Sequence, residues 1–259
     1  MSNVARVYNI FSQIDEIYKK TQKYGVDLLM EVFKCETIED LYYIKPYIYG
    51  EIEFYKNERL EKGVPTNHIN DTVNPFINFL NTCLLINMNL KITGSSGYND
   101  TSYKNEMLGR CKTASFITSL YFITNSAFDN PIKNAEEDIA KIKKEVEELR
   151  QGIQLNIENK PENSNTYVRT FILQNLDRID LLLNNYDKIR PHYIKLPLYS
   201  VLGSLSNHNS DTCLEEDMKR VVYKVYRRIK VFIDVYMYGT TAKEAISEIV
   251  KWGSNFLPQ

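Results

Sequence analysis

The chain has 259 residues, 43% of them hydrophobic and 25% charged, with a formal net charge of −1 at pH 7. That composition supports a large buried core and is not that of a disordered chain. Near-neutrality excludes a global attraction to nucleic acid or acidic membranes, so any such binding needs a local patch. Cys35, Cys83, Cys111 and Cys213 lack CxxC spacing, which argues against a zinc ribbon or a disulfide framework. No metal or cofactor is expected. Arg6, Asp15, Glu16 and Lys19 interrupt the N-terminal hydrophobic pattern, which does not fit a secretory signal. The apolar stretches 79–88 and 114–123 fall short of the roughly 18 residues of a membrane span. No membrane insertion is expected, and a cytoplasmic location is. Lys far exceeds Arg, and Asn and Ile are abundant. This usage follows AT-rich coding and points to a bacterial or mobile-element source.

In chain order, Val4, Val7, Phe11, Ile14 and Tyr18 recur at helical spacing, widened by Ile10 and Ile17, and Gly25 separates this helix from Val26–Phe33. Thr37-Ile-Glu-Asp40 is a helix-start pattern in which the Thr hydroxyl accepts from an unpaired backbone N–H. Leu41, Ile44, Ile48 and Ile52 follow, with Pro46 starting or bending the helix and Gly63-Val-Pro65 ending it. Asn74-Pro75 predicts another start, because Asn caps and Pro fits the first helical position. Residues 93–101 read as a loop, and Ser102 caps a helix to about residue 128.

Asn130-Pro131 repeats the Asn-Pro start and opens a long helix over about 131–157, with Glu136, Glu137 and Asp138 near its positive end. Residues 159–165 are the most linker-like in the chain. Val168, Ile172, Leu176, Ile179, Leu183 and Tyr186 mark the next helix, closed at Arg190-Pro191. An irregular region to Asp211 holds a helical turn around Pro197–Leu205. Thr212-Cys-Leu-Glu215 is a capping box opening a helix that stops at Gly239, and Thr241-Ala-Lys-Glu244 opens the last. No sustained alternation and no 20–50-residue repeat is present. The expected fold is all-α, an irregular bundle of about eight helices. It divides into an N-terminal bundle, 1–158, and a C-terminal layer, 165–259.

The helix over 131–157 carries a heptad seam at Ile132, Ala135, Ile139, Ile142, Val146, Leu149 and Ile153. Its g and e positions pair Asp138 with Lys143 and Glu145 with Arg150 if two copies run parallel, and β-branched residues at a suit two strands. Packing within the chain needs the same stripe. The helix over 212–238 sets Met218, Val221, Val222, Val225, Ile229, Phe232, Ile233 and Tyr236 on one face and Lys219, Arg220, Lys224, Arg227, Arg228 and Lys230 on the other. Arg forks match phosphate, and Tyr223 and Tyr226 lie at the edge, so Arg220, Lys224, Arg227 and Arg228 form a candidate phosphate or nucleic-acid face. A solvated face is the plainer reading.

His68, His192 and His208 sit outside any His-x-Glu or His-Glu-x-x-His pattern, and no Arg precedes a His by five to seven positions. That removes the Arg/His arrangement of helical endoribonucleases. His192, His208 and Cys213 form at best a weak Cys–His constellation. Gly94-Ser-Ser-Gly97 lacks the Gly-Lys-Ser/Thr of a phosphate loop. Tyr42, Tyr43, Tyr47, Tyr49 and Tyr55 cluster as a core rim or a binding groove. No catalytic motif is found. The leading expectation is a non-enzymatic interaction module, self-associating or docking a protein partner, in a bacterial accessory role of the defence or toxin–immunity type. The alternative is a nucleic-acid- or nucleotide-binding module using the basic helix, and a hydrolase without a legible motif ranks third.

Overall fold

A computed structural model describes residues 3–21, 23, 25–93, 135–159, 166–206 and 216–238, with side chains placed for 4–21, 23, 25–81, 136–154, 170–204 and 223–234. The fold is all-α. The described residues form α1 (Asn3–Thr21), α2 (Gly25–Val32), α3 (Ile38–Glu61), α4 (Thr66–Thr93), α5 (Ala135–Asn159), α6 (Thr166–Asn184), α7 (Lys195–Ser206) and α8 (Glu216–Tyr238), with a 3-10 turn at Pro191–Ile194. No strand occurs among them, and no helix is long and apolar enough to cross a membrane. The predicted features at 94–134, the capping box at 212–215 and the final helix after 239 lie outside the described residues.

The chain forms two compact units, residues 1–130 with 187–189, and 131–186 with 190–259. Helix α5 groups with the helices of the second unit. Its apolar stripe decides this, because α6 and α8 cover it.

In the first unit α1 packs on α2 and α3, and α4 on α2 and α3. Val7, Ile10 and Phe11 of α1, Leu28, Leu29 and Val32 of α2, Leu41, Ile44, Ile48 and Ile52 of α3, and Val73 and Leu80 of α4 are buried. The Phe11 ring meets Phe76 edge-on at 4.8 Å between centroids.

Local chemistry fixes the ends of α3. Asp40 N–H donates to Thr37 Oγ1 at 3.2 Å, and Thr37 N–H donates to Asp40 Oδ2 at 2.9 Å, a complete capping box. At the far end Gly63 (φ 74°) lets Val64 N–H reach Arg59 O at 3.0 Å and Gly63 N–H reach Leu60 O at 2.9 Å, a Schellman motif. Helix α3 starts at Ile38 and passes through Pro46, whose ring faces outward.

Helix α4 departs from the sequence expectation, starting at Thr66 and running through Pro75. The apolar stripe Ile69, Val73, Phe76 and Leu80 continues across the proline and is buried throughout. That burial outweighs the one backbone hydrogen bond the proline removes.

Residues 187–189 complete the first unit by long-range bonds to α1. Asn9 Nδ2 donates to Asp187 O at 3.0 Å, Gln13 Nε2 to Asp187 Oδ2 at 2.8 Å, and Lys188 Nζ to Gln13 Oε1 at 2.9 Å and Asp187 Oδ1 at 3.1 Å. Lys188 is fully buried, and that burial lowers its pKa below the ordinary lysine value against the opposing pull of Asp187. Between that lowered pKa and the ordinary one the unfolded chain binds more protons, so stability rises with pH there. Relative to Lys188→Met, the wild type should gain stability as pH is raised toward the ordinary lysine range, measured by urea unfolding at stepped pH.

Helix α2 ends in the same Schellman pattern as α3, with Cys35 N–H on Met30 O at 2.8 Å and Lys34 N–H on Glu31 O at 3.2 Å, but a lysine occupies the left-handed position (φ 52°). A side chain there costs about 1–2 kcal/mol. Lys34→Gly should therefore raise the unfolding free energy by about 1 kcal/mol, net of glycine's added unfolded-state entropy, in the same urea assay.

Candidate functional site

The second unit is built around α5. Ile139, Ile142, Val146, Leu149 and Ile153 are buried, and α6 and α8 flank them. Arg150 reaches Asp177 and Asp180 while Lys143, seven residues earlier, reaches Asn184 farther along α6, so the two helices run antiparallel. Helix α8 likewise opposes α5, since Glu145 meets Lys224 and Arg228 while Asp138 and Ile142 share a cleft with residues up to Phe232. The 3-10 turn and α7 pack on both α6 and α8.

Of the two uses the sequence left open for the seam, packing within the chain and parallel pairing of two copies, the burial of Ile139, Ile142, Val146, Leu149 and Ile153 against α6 and α8 fits the first. Its flanking charges are spent there too. Lys143 donates to Asn184, Glu145 holds Lys224 and Arg228, and Arg150 binds Glu147, Asp177 and Asp180. The g-to-e complementarity is replaced by ion pairs to neighbouring antiparallel helices. Ile132 and the Ala135 side chain lie outside the described residues. Burial raises the Asp180 carboxyl above its ordinary range, against the opposing effect of Arg150.

The basic helix fares differently. Lys224, Arg227 and Arg228 of α8 line a cleft of about 420 Å³ with Asp138 and Ile142 of α5 and Val231 and Phe232 of α8. Ile142 and Phe232 form its buried apolar floor, and the charged groups stand around the rim. Arg220 lies on the same helix, its side chain outside the described residues.

Glu145 is the hinge of the local electrostatics. Its Oε1 forms ion pairs with Arg228 Nε at 2.6 Å and Lys224 Nζ at 3.0 Å, while the Glu145 side chain is only 6% exposed. Its Oε2 is buried without a hydrogen-bond partner among the described residues. The two cations stay accessible, at 54% for Lys224 and 43% for Arg228, so one carboxylate orients both without hiding them. No ion pair to the exposed Arg227 is found among the described residues.

Other sequence candidates do not converge. His68 is exposed on α4, His192 is exposed beside Tyr193, and His208 and Cys213 lie outside the described residues, as does Gly94–Gly97. Burial, with Lys195 and Arg190 nearby, lowers the His192 pKa. Among the described residues no group of three His, Cys, Asp or Glu side chains is placed to hold a metal. Of the clustered tyrosines Tyr55 is buried, Tyr43 and Tyr47 meet edge-on at 5.4 Å, and Tyr49 donates to Asn81, with Lys45 Nζ 5.8 Å from the Tyr49 ring centroid. They are half-built into the core rim. What sequence reasoning missed is the α5 wall of the cleft, Asp138 and Ile142, together with the role of Glu145.

Comparison with protein-family models, with curated proteins and with solved structures finds no match.

If the seam is internal, Leu149→Ala should lower stability by about 2–5 kcal/mol, the usual loss for a buried leucine. Lys143→Glu should leave the mass in solution unchanged while costing about 1 kcal/mol for the lost Asn184 bond. Calorimetry and light scattering read the two.

Proposed function

We propose that this chain is a non-enzymatic helical module that binds a phosphate-bearing partner, nucleic acid or nucleotide, in the cleft between α5 and α8. The observation that carries this reading is the convergence of Lys224, Arg227 and Arg228 on one concave site with an apolar floor. A merely solvated basic face spreads its cations over a convex helix. Here they share a volume within the roughly 300–1,000 Å³ of small-ligand sites. Guanidinium forks match phosphate oxygens, and Arg227 is exposed with no ion pair found among the described residues. The near-neutral chain confines any such binding to a local patch of this kind. A cytoplasmic location, expected from the N-terminal pattern, and a bacterial accessory role, expected from residue usage and the lack of a catalytic motif, accompany the reading.

A second reading keeps the interaction-module class but moves its surface to α7, where Leu196 and Tyr199 are exposed one turn apart. Its self-associating form requires a concentration-dependent mass in light scattering, reduced by Leu196→Glu.

For the phosphate reading, a labelled single-stranded oligonucleotide should bind at low salt and weaken as salt rises, because released counterions drive the association. Arg227→Ala should weaken it about tenfold, the loss expected of one charge-assisted contact, with no loss of stability. Absence of binding at the lowest salt would sink the reading.

A further inference from the structure

A buried anion stands behind two of the cleft's cations. Glu145 is nine-tenths buried, holds Lys224 and Arg228 through Oε1, and keeps Oε2 without a partner among the described residues. Asp138 adds a second carboxylate on the rim. Because Glu145 pairs with both Lys224 and Arg228, the field in the cleft is weaker than two arginines and a lysine alone would give. This matters for the charge of the ligand. Attraction grows in proportion to ligand charge, whereas the cost of stripping water grows with its square. A weak field therefore favours a singly charged anion. A doubly charged one demands either a stronger field or the release of Lys224 and Arg228 from Glu145. Release would leave a carboxylate buried without a counter-ion, which is expensive. The geometry keeps Glu145 in place: Arg228 spends its Nε on the carboxylate, while both cations remain about half exposed toward the solvent side.

Resting on the phosphate-binding reading above, we propose that the cleft selects a singly charged phosphodiester over a doubly charged terminal phosphate, and that Glu145 is the residue that sets this preference. The diester has two sources, the backbone of a single-stranded nucleic acid and a small cyclic nucleotide. The floor of Ile142 and Phe232 gives either an apolar contact beside the phosphate.

The test measures affinities of the full chain at low salt for three probes. They are 3′,5′-cyclic adenosine monophosphate, adenosine 5′-monophosphate above pH 7, and a short single-stranded oligonucleotide with a 5′-hydroxyl. Wild type should bind the cyclic nucleotide, the oligonucleotide or both more tightly than the 5′-monophosphate, and whichever is tighter identifies the source. Glu145→Gln should tighten the 5′-monophosphate by about tenfold and the cyclic nucleotide by less, since a change in field acts in proportion to charge. Asp138→Asn, an exposed change on the rim, should move the probes in the same order by a smaller factor, and it carries the test if Glu145→Gln fails to fold. A wild type that prefers the 5′-monophosphate, or variants that shift both nucleotides equally, would overturn the proposal and leave the phosphate reading standing. No binding of any probe by wild type or variant overturns both.

Discussion

Everything described in the second unit depends on one apolar stripe. Ile139, Ile142, Val146, Leu149 and Ile153 follow one another at steps of three and four residues along α5 and lose nearly all their exposure to α6 and α8. Fully burying such a side chain contributes about 1.5–3 kcal/mol relative to leaving it exposed. The stripe also fixes where every flanking charge points. Residues beside it, Lys143, Glu145 and Arg150, sit at the edge of a packed interface and reach the neighbouring helices. Packing comes first and electrostatics is arranged around it.

That order explains why the cleft is concave. Helices α5 and α8 pack together and leave a groove lined by Ile142 and Phe232. The basic face of α8 turns into it because the opposite face, with Val225, Ile229 and Ile233, is committed to the core. Glu145 then trades its hydration for two cations. The cost of burying a carboxylate is offset only by close opposite charges, and the 2.6 Å ion pair to Arg228 Nε is one.

Much of this was legible in the residues. The helical periodicities, the capping box at Thr37 and the glycine stop at Gly63 all operate within a few residues, where local rules decide. Helix α4 was misplaced at its start because Asn74-Pro75 satisfies a local rule that the longer stripe from Ile69 to Leu80 overrides. The apolar stripe of α5 is legible in the spacing, but which helices cover it is not. Charge complementarity says that opposite charges meet without saying whether the second helix belongs to another copy or lies farther along the same chain. The basic half of the cleft was visible for the same reason that its acidic and apolar wall was hidden: Lys224, Arg227 and Arg228 share one helix, while Asp138 and Glu145 stand on another.

The strap at 187–189 sets an order of events for the growing chain. Asn9 and Gln13 find their partners at Asp187 and Lys188, with 174–178 residues between them. During synthesis α1 exists well before those partners do, so the bonds from Asn9 and Gln13 to them form late. Closing so long a loop is slow, though its entropic cost rises only logarithmically with length. The N-terminal helices are thus completed last by a piece of the C-terminal half, and a ribosome-bound fragment ending short of residue 187 lacks the bonds that close its first unit.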